Sequence, residues 1–252
     1  MQTLAQMKNI RKEFPGVTAL NGISFDIRAG EVHVLLGENG AGKSTLMKIL
    51  SGVHKPTSGE IIINGKSFSR LTPQDSYKQG ISVIYQELSV INSLSIQENL
   101  FIGHLPVKKI GPIKIVDYKT MNQQAKQILQ TVGLYRDPKT LVEALSIPEK
   151  QQVEIAKALA AQSSIIIMDE PTASLTNAEV DYLLSIVKRL KKSGKGIVYI
   201  SHKLSEIMAI GDRVSVLKDG SFVGTKKIGE VTQDDLVTMM VGRQIAKNYQ
   251  HE

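Results

Sequence analysis

One stretch of eight residues, Gly37-Glu38-Asn39-Gly40-Ala41-Gly42-Lys43-Ser44, constrains what this chain can fold into more than any other. Its G-x-x-x-x-G-K-S spacing suits a loop whose backbone N–H groups wrap phosphate oxygens, because glycine lets the backbone come close. Such a loop must leave a buried strand and open a helix. Here an apolar segment at residues 31–36 precedes it, and a helix is expected from Ser44 to about Ser51. The positive end of that helix dipole then faces the same anion. In this arrangement Lys43 reaches the β- and γ-phosphates of a nucleotide, and the Ser44 hydroxyl ligates Mg²⁺. Residues 37–45, Thr45 included, are therefore the candidate nucleotide-binding set.

A second segment supplies what the loop lacks. Ile165–Met168 is an aliphatic strand that runs into Asp169 and Glu170. Asp169 is placed to hold the Mg²⁺ shell, and Glu170, one residue on, to orient and deprotonate an attacking water. An apolar strand ending in two carboxylates is ordinary in isolation. Beside a phosphate loop it is the expected other half of an ATP site.

The rest of the chain reads as an α/β protein. Short β-rich segments open it, including residues 20–27, and a hairpin turns at Asn64-Gly65, a favoured two-residue signal. The middle third, from about 97 to 144, reads as mostly helical, with residues 121–132 its clearest piece and Pro106 and Pro112 interrupting it. After Leu145 helices at 151–161, 178–191 and 204–210 alternate with strands at 165–168 and 196–200, which implies a buried, largely parallel sheet. A second hairpin, at 214–224, turns at Asp219-Gly220. This organisation predicts one ATPase domain over residues 1–242, with an inserted helical subdomain at about 97–160. Residues 243–252 read as a tail or the start of a linker.

Composition narrows the setting. The chain has no cysteine, so disulfides and thiolate metal sites are excluded. No aliphatic run approaches the roughly 20 residues of a membrane-spanning helix, so a partner must supply any membrane passage. The net charge of +7 invites a nucleic-acid reading. However, the densest cluster, Lys188, Arg189, Lys191, Lys192 and Lys195, runs off the end of a helix, where cations favour the dipole, and lacks interleaved aromatics. A solvated surface is the expectation, with no nucleic-acid partner.

Four motifs then appear in one order: GENGAGKSTLMKILSG from Gly37, IYQE from Ile84, MDEPTASLT from Met168 and Ser201-His202. Together they resemble the ATP-binding cassette of transporters over nearly the whole chain. MDEPTASLTNAEV, IVYISHKLSEI and MVGR are most similar to cassettes of bacterial importers for monosaccharides such as ribose, xylose and allose. That resemblance implies a P-loop NTPase fold with a mixed, mainly parallel core sheet, an N-terminal antiparallel β subdomain and the helical insertion. It implies a peripheral ATPase on the cytoplasmic face of the cell membrane. Its partners would be transmembrane permease subunits, a second cassette fused or paired, and indirectly an extracytoplasmic sugar-binding protein. The family chains look like two fused cassettes, with this one similar to the N-terminal half.

By the same resemblance Phe14 stacks on adenine, Gln86 approaches Mg²⁺ and the attacking water, and His202 contacts the γ-phosphate. A core phenylalanine and a structural histidine are the alternatives for Phe14 and His202. In the family an L-S-G-G-Q signature on one cassette contacts the γ-phosphate held by the other. The matching residues here are Leu145-Ser146-Ile147-Pro148-Glu149, which keep only Ser146 as a cofactor contact. Pro148 has no N–H to donate, Ile147 is β-branched, and Glu149 adds negative charge. Losing one aimed donor costs about 3 kcal/mol of transition-state stabilisation, so the site this segment completes is expected to be weak. Thr176 also stands where the family more often has Asp. Two other readings compete: a soluble ATPase of this fold acting on nucleic acid, and a regulatory nucleotide switch without turnover.

Overall fold

The computed structural model describes residues 2–110, 112–173 and 175–241. The expected tail at 243–252 lies outside them. Two long antiparallel strands, β1 (Thr3–Phe14) and β2 (Val17–Arg28), open the chain, each longer than the sequence suggested. β3 (Val32–Leu36) leads through the glycine loop into α1 (Lys43–Leu50). The hairpin β4 (Ser58–Ile63) and β5 (Lys66–Phe68) follows, with Asn64 and Gly65 both at positive φ, as its turn chemistry predicts. Next come α2 (Pro73–Lys78), β6 (Ile81–Ile84) and α3 (Ile96–Phe101).

Residues 107–116 depart from the helical expectation. They form an antiparallel hairpin, β7 (Val107–Ile110) and β8 (Ile113–Val116), closed at its base by the Asp117 N–H donating to the Pro106 carbonyl at 2.8 Å. The physical reason is local: Val, Ile and Lys alternate around a Gly-Pro pair, and proline in the middle forbids a continuous helix. The rest of residues 97–160 carries α4 (Tyr118–Val132), a short 3₁₀ turn at Val142–Ala144 and α5 (Ile147–Ala160). Then follow β9 (Ile165–Asp169), α6 (Asn177–Lys192), β10 (Gly196–Ile200), α7 (Leu204–Ile210), β11 (Arg213–Lys218), β12 (Ser221–Lys227) and α8 (Gln233–Val241).

The central sheet runs β12-β11-β3-β10-β9-β6, parallel except for β12. A second, antiparallel sheet has the order β2-β1-β4-β5. Alternate residues of the central strands enter two different cores. Leu35, Ile165, Ile167, Val198 and Ile200 pack with α1 and the antiparallel sheet. Val34, Leu36, Ile166, Met168, Ile197 and Tyr199 share a core with α3, α4, α5 and α6. Because β6, β9, β10 and β3 are parallel, their C-terminal ends lie on one edge of the sheet, where ligands of open α/β sheets bind. The described helices include none long and apolar enough to cross a membrane.

Candidate functional site

The glycine loop leaves β3 at that edge. A Cβ at Gly37 would sit 2.3 Å from the Leu217 carbonyl oxygen, and one at Gly42 2.7 Å from the Ala19 oxygen, so glycine is required at both. Gly42, at φ +99°, is the N-cap of α1 and supplies no side-chain acceptor. By contrast α2, α3, α5 and α6 each close on a capping box. The first N–H groups of α1, with no acidic residue in its first turn, are therefore available to an anion.

A cavity of about 260 Å³ opens in front of this loop, lined by Ala19, residues 39–45, Gln86, Asp169 and Glu170. The sheet explains the convergence: Gln86 follows β6, Asp169 ends β9, and β9 lies between β6 and β10. Only 8% exposed, Lys43 donates from Nζ to the carbonyls of Gly37 (2.8 Å) and Glu38 (3.0 Å). Burial pulls its ammonium below the ordinary lysine value, opposed by Glu170 and Asp169. The Asp169 carboxyl is pushed up, first by burial and next by Glu170, against Lys43, Lys48 and a Ser44 hydrogen bond. Both shifts describe charges short of polar company, which phosphates and a cation would supply.

Glu170 stands at φ +47°, a left-handed conformation costly for a residue with a Cβ, and its N–H donates to the Ile200 carbonyl at 3.0 Å. Its Oε1 lies 3.2 Å from His202 Nδ1. The His202 side chain is 62% exposed, so this contact lies at the surface. Phe14 ends β1 outside the cavity wall. The residue is 37% exposed, so it is not a core residue; Lys12 Nζ lies 4.7 Å from its ring centroid and His54 meets the ring edge-on at 5.5 Å. Ser146 is the N-cap of α5, away from the cavity. Glu149 turns back, accepting from the Ser146 N–H (2.8 Å) and hydroxyl (2.9 Å) and from Arg136 Nε (2.7 Å). Arg136 and those cap bonds hold the Glu149 carboxyl below its usual range, so its charge is compensated locally.

For Mg²⁺ the residues fit. Among the described residues no cluster of three or more His, Cys, Asp or Glu could cage a metal, whereas a hydroxyl and one carboxylate suit an ion that keeps phosphate and water ligands. The sequence missed Ala19, a small wall residue with no motif to mark it. It also missed a buried carboxylate, Glu206, behind the Glu170–His202 pair; its place one helical turn after His202 was the available signal.

The chain is 45% identical over 98% of its length to the ribose import ATP-binding protein of Geobacillus kaustophilus. It is 50% identical over 96% to the D-allose import ATP-binding protein of Escherichia coli, and 48% over 96% to the xylose import ATP-binding protein of Moorella thermoacetica. It spans about half of each: 49%, 48% and 48%. A crystal structure of an ATP-binding cassette of an ABC transporter in its ADP conformation matches with a TM-score of 0.83 at 25% identity, covering 96% of this chain and 100% of that one. The ABC transporter family model matches residues 20–173, and the chain belongs to the ABC transporter family.

Proposed function

We propose that this chain binds ATP with Mg²⁺ in the cradle at residues 37–45 and hydrolyses it, energising import of a monosaccharide across the cytoplasmic membrane. The observation that carries the reading is the Glu170–His202 pair at 3.2 Å, whose Glu170 lines a cavity shared with Lys43, Ser44, Gln86 and Asp169. Residues 1–242 act as one ATPase domain, with residues 97–160 as its helical subdomain.

In this reading the loop N–H groups and Lys43 hold the β- and γ-phosphates, and Phe14 stacks on the adenine. Mg²⁺, held by Ser44 and Asp169, supplies charge neutralisation at the phosphates when bound. Glu170 accepts the proton of a water aimed at the γ-phosphate, and Gln86 helps orient that water. His202 keeps Glu170 in place and donates to the γ-phosphate. The chain sits peripherally on the cytoplasmic face and works on transmembrane permease subunits, served from outside by a sugar-binding protein. The import names of its relatives support that setting.

A second cassette, fused or paired, completes the machine. Ser146 and the segment 145–149 face that partner's nucleotide, and the loss of both signature glycines makes the partner site the weaker one. The Arg136–Glu149 pair softens one part of that expectation, since the carboxylate is not a bare charge.

Glu170→Gln tests the reading. The substitution keeps side-chain shape and removes the base, so ATP affinity should hold while phosphate release by the assembled complex falls by at least about a hundredfold. Turnover at the wild-type rate would reject the assignment. Restoring Gly at 147 and 148 tests the asymmetry: a large drop in total turnover would count against it.

A further inference from the structure

Behind the Glu170–His202 pair lies Glu206, in α7 and only 4% exposed. Its carboxylate collects donors from the turn after β9, from β10 and from the turn after β10. Thr172 Oγ1 lies 2.8 Å from Oε1, and Tyr199 OH donates to Oε2 at 2.7 Å. Ser201 Oγ reaches Oε2 at 3.2 Å, and Lys203 Nζ lies 3.3 Å from Oε1. Lys203 also donates to the Thr172 carbonyl at 3.1 Å, and its N–H donates to Ser201 Oγ at 3.1 Å. Burial, with the Glu206 charge beside it, pushes the Tyr199 phenol up, so it stays a donor.

These contacts join the turn after β9 to the turn after β10. Thr172 is two residues beyond Glu170, and Ser201 is the residue before His202. In front, the two turns meet at the Glu170–His202 contact and the Glu170 N–H bond to Ile200. A left-handed Glu170 persists only where its surroundings over-determine it.

We propose that Glu206 is a positioning residue for the reaction: its buried carboxylate clamps the two turns from behind and thereby fixes Glu170 against His202. The inference rests on the ATPase reading above. Charge is essential to the clamp, because a carboxylate accepts at every lone pair while four donors converge on it. A glutamine of the same size would point an N–H₂ group at hydroxyl and ammonium donors. The pocket would be filled, yet the pairing would fail and the turns would shift apart.

The test compares Glu206→Gln, Tyr199→Phe and Glu170→Gln, with ATP affinity measured by titration and hydrolysis measured as phosphate release in the reconstituted complex. Glu206→Gln should lower kcat by roughly ten- to a hundredfold, the effect of a small misplacement of reacting groups, while ATP affinity and KM stay within about twofold. Tyr199→Phe removes one donor without touching the charge and should lower kcat several-fold; it carries the test if Glu206→Gln fails to fold. Combined with Glu170→Gln, either substitution should cause no further loss of residual turnover. A purely structural Glu206 would weaken ATP binding along with turnover, and that outcome overturns the proposal. So does a wild-type kcat in both variants while Glu170→Gln is inactive. If Glu170→Gln itself turns over normally, the ATPase reading falls and the positioning role with it.

Discussion

His33 offers the sharpest quantitative prediction because its surroundings are fully enclosed. It lies on β3, 1% exposed, with its ring stacked on Phe25 at 4.3 Å between centroids. Nδ1 lies 2.7 Å from the Asp26 carbonyl oxygen, so this nitrogen carries the proton and donates. Nε2 then accepts from Ser215 Oγ at 2.7 Å, and Ser215 is in turn 2.6 Å from Thr225 Oγ1. Arg213, bound to Asp26 and Glu31, approaches Nδ1 at 3.3 Å. Burial first, and the Arg213 charge second, lower the His33 pKa from 6.5 to about 4, against the pull of Asp26.

A lowered native pKa means the unfolded chain binds the proton first as pH falls. Stability is intact above pH 6.5, declines below it, and reaches its full loss only near pH 4. The difference, 6.5 − 4 = 2.5 units, corresponds to about 3 kcal/mol, of which about 2 kcal/mol is lost by pH 5. The lowered carboxylates, Asp26 among them, titrate below their ordinary values near 4, and the raised Asp169 is common to wild type and variant, so the difference between the two chains from pH 6.5 to 5 isolates His33. Urea unfolding of wild type and His33→Gln at pH 7, 6 and 5 reads the effect. The wild type should lose about 2 kcal/mol more than the variant across that interval. Equal declines, or a His33 ring resonance titrating at 6.5 or above, would refute the reasoning.

Other predictions follow from the site. Gly42→Ala should destabilise by roughly 1–3 kcal/mol and weaken ATP binding, since its Cβ meets Ala19 and Leu20 at 2.7 Å; Gly40→Ala, with open space around it, should cost only about 1 kcal/mol in thermal unfolding, and the reverse order would contradict the packing account. Asp169→Asn should raise the melting temperature of the nucleotide-free chain at pH 7, because burial and Glu170 disfavour the charged form, while abolishing the Mg²⁺ dependence of ATP affinity. Phe14→Ala should change stability by no more than about 0.5 kcal/mol yet cost about 1–3 kcal/mol of nucleotide affinity, equally for ATP and GTP, measured by titration.

Much of the architecture was legible because it is written in short-range chemistry. The turns at Asn64-Gly65 and Asp219-Gly220 both adopt positive φ at both residues, and β10 and α7 begin and end where periodicity put them. The loop at residues 37–44 was legible through its fixed motif spacing, although the contacts that require Gly37 and Gly42 come from Leu217 and Ala19, far along the chain. The β7–β8 hairpin was not: four-residue strands rich in Lys and Ile inside an otherwise helical stretch carry too few periods to separate the two patterns. The Glu206 cluster was hidden for a different reason. Thr172 and Tyr199 are brought together by the pairing of β9 with β10, a fact of sheet order that no local spacing encodes.

The same contrast explains why the site is poised to respond to a nucleotide. Elsewhere the chain satisfies its polar ends with its own side chains: Thr72, Ser95, Ser146 and Thr176 each exchange contacts with an acidic residue three places on. Around the cavity it does not. α1 begins without a side-chain cap, Lys43 turns to carbonyls of its own loop, and Asp169 is held above its ordinary pKa. Glu170 keeps a strained backbone between two tied turns. The open α1 terminus, the buried Lys43 and the raised Asp169 carboxyl all suit one partner, an anion with a cation attached. Nucleotide binding should therefore stabilise this edge of the sheet more than its contact area alone implies, and it should do so through the N-terminus of α1, Lys43 and Asp169.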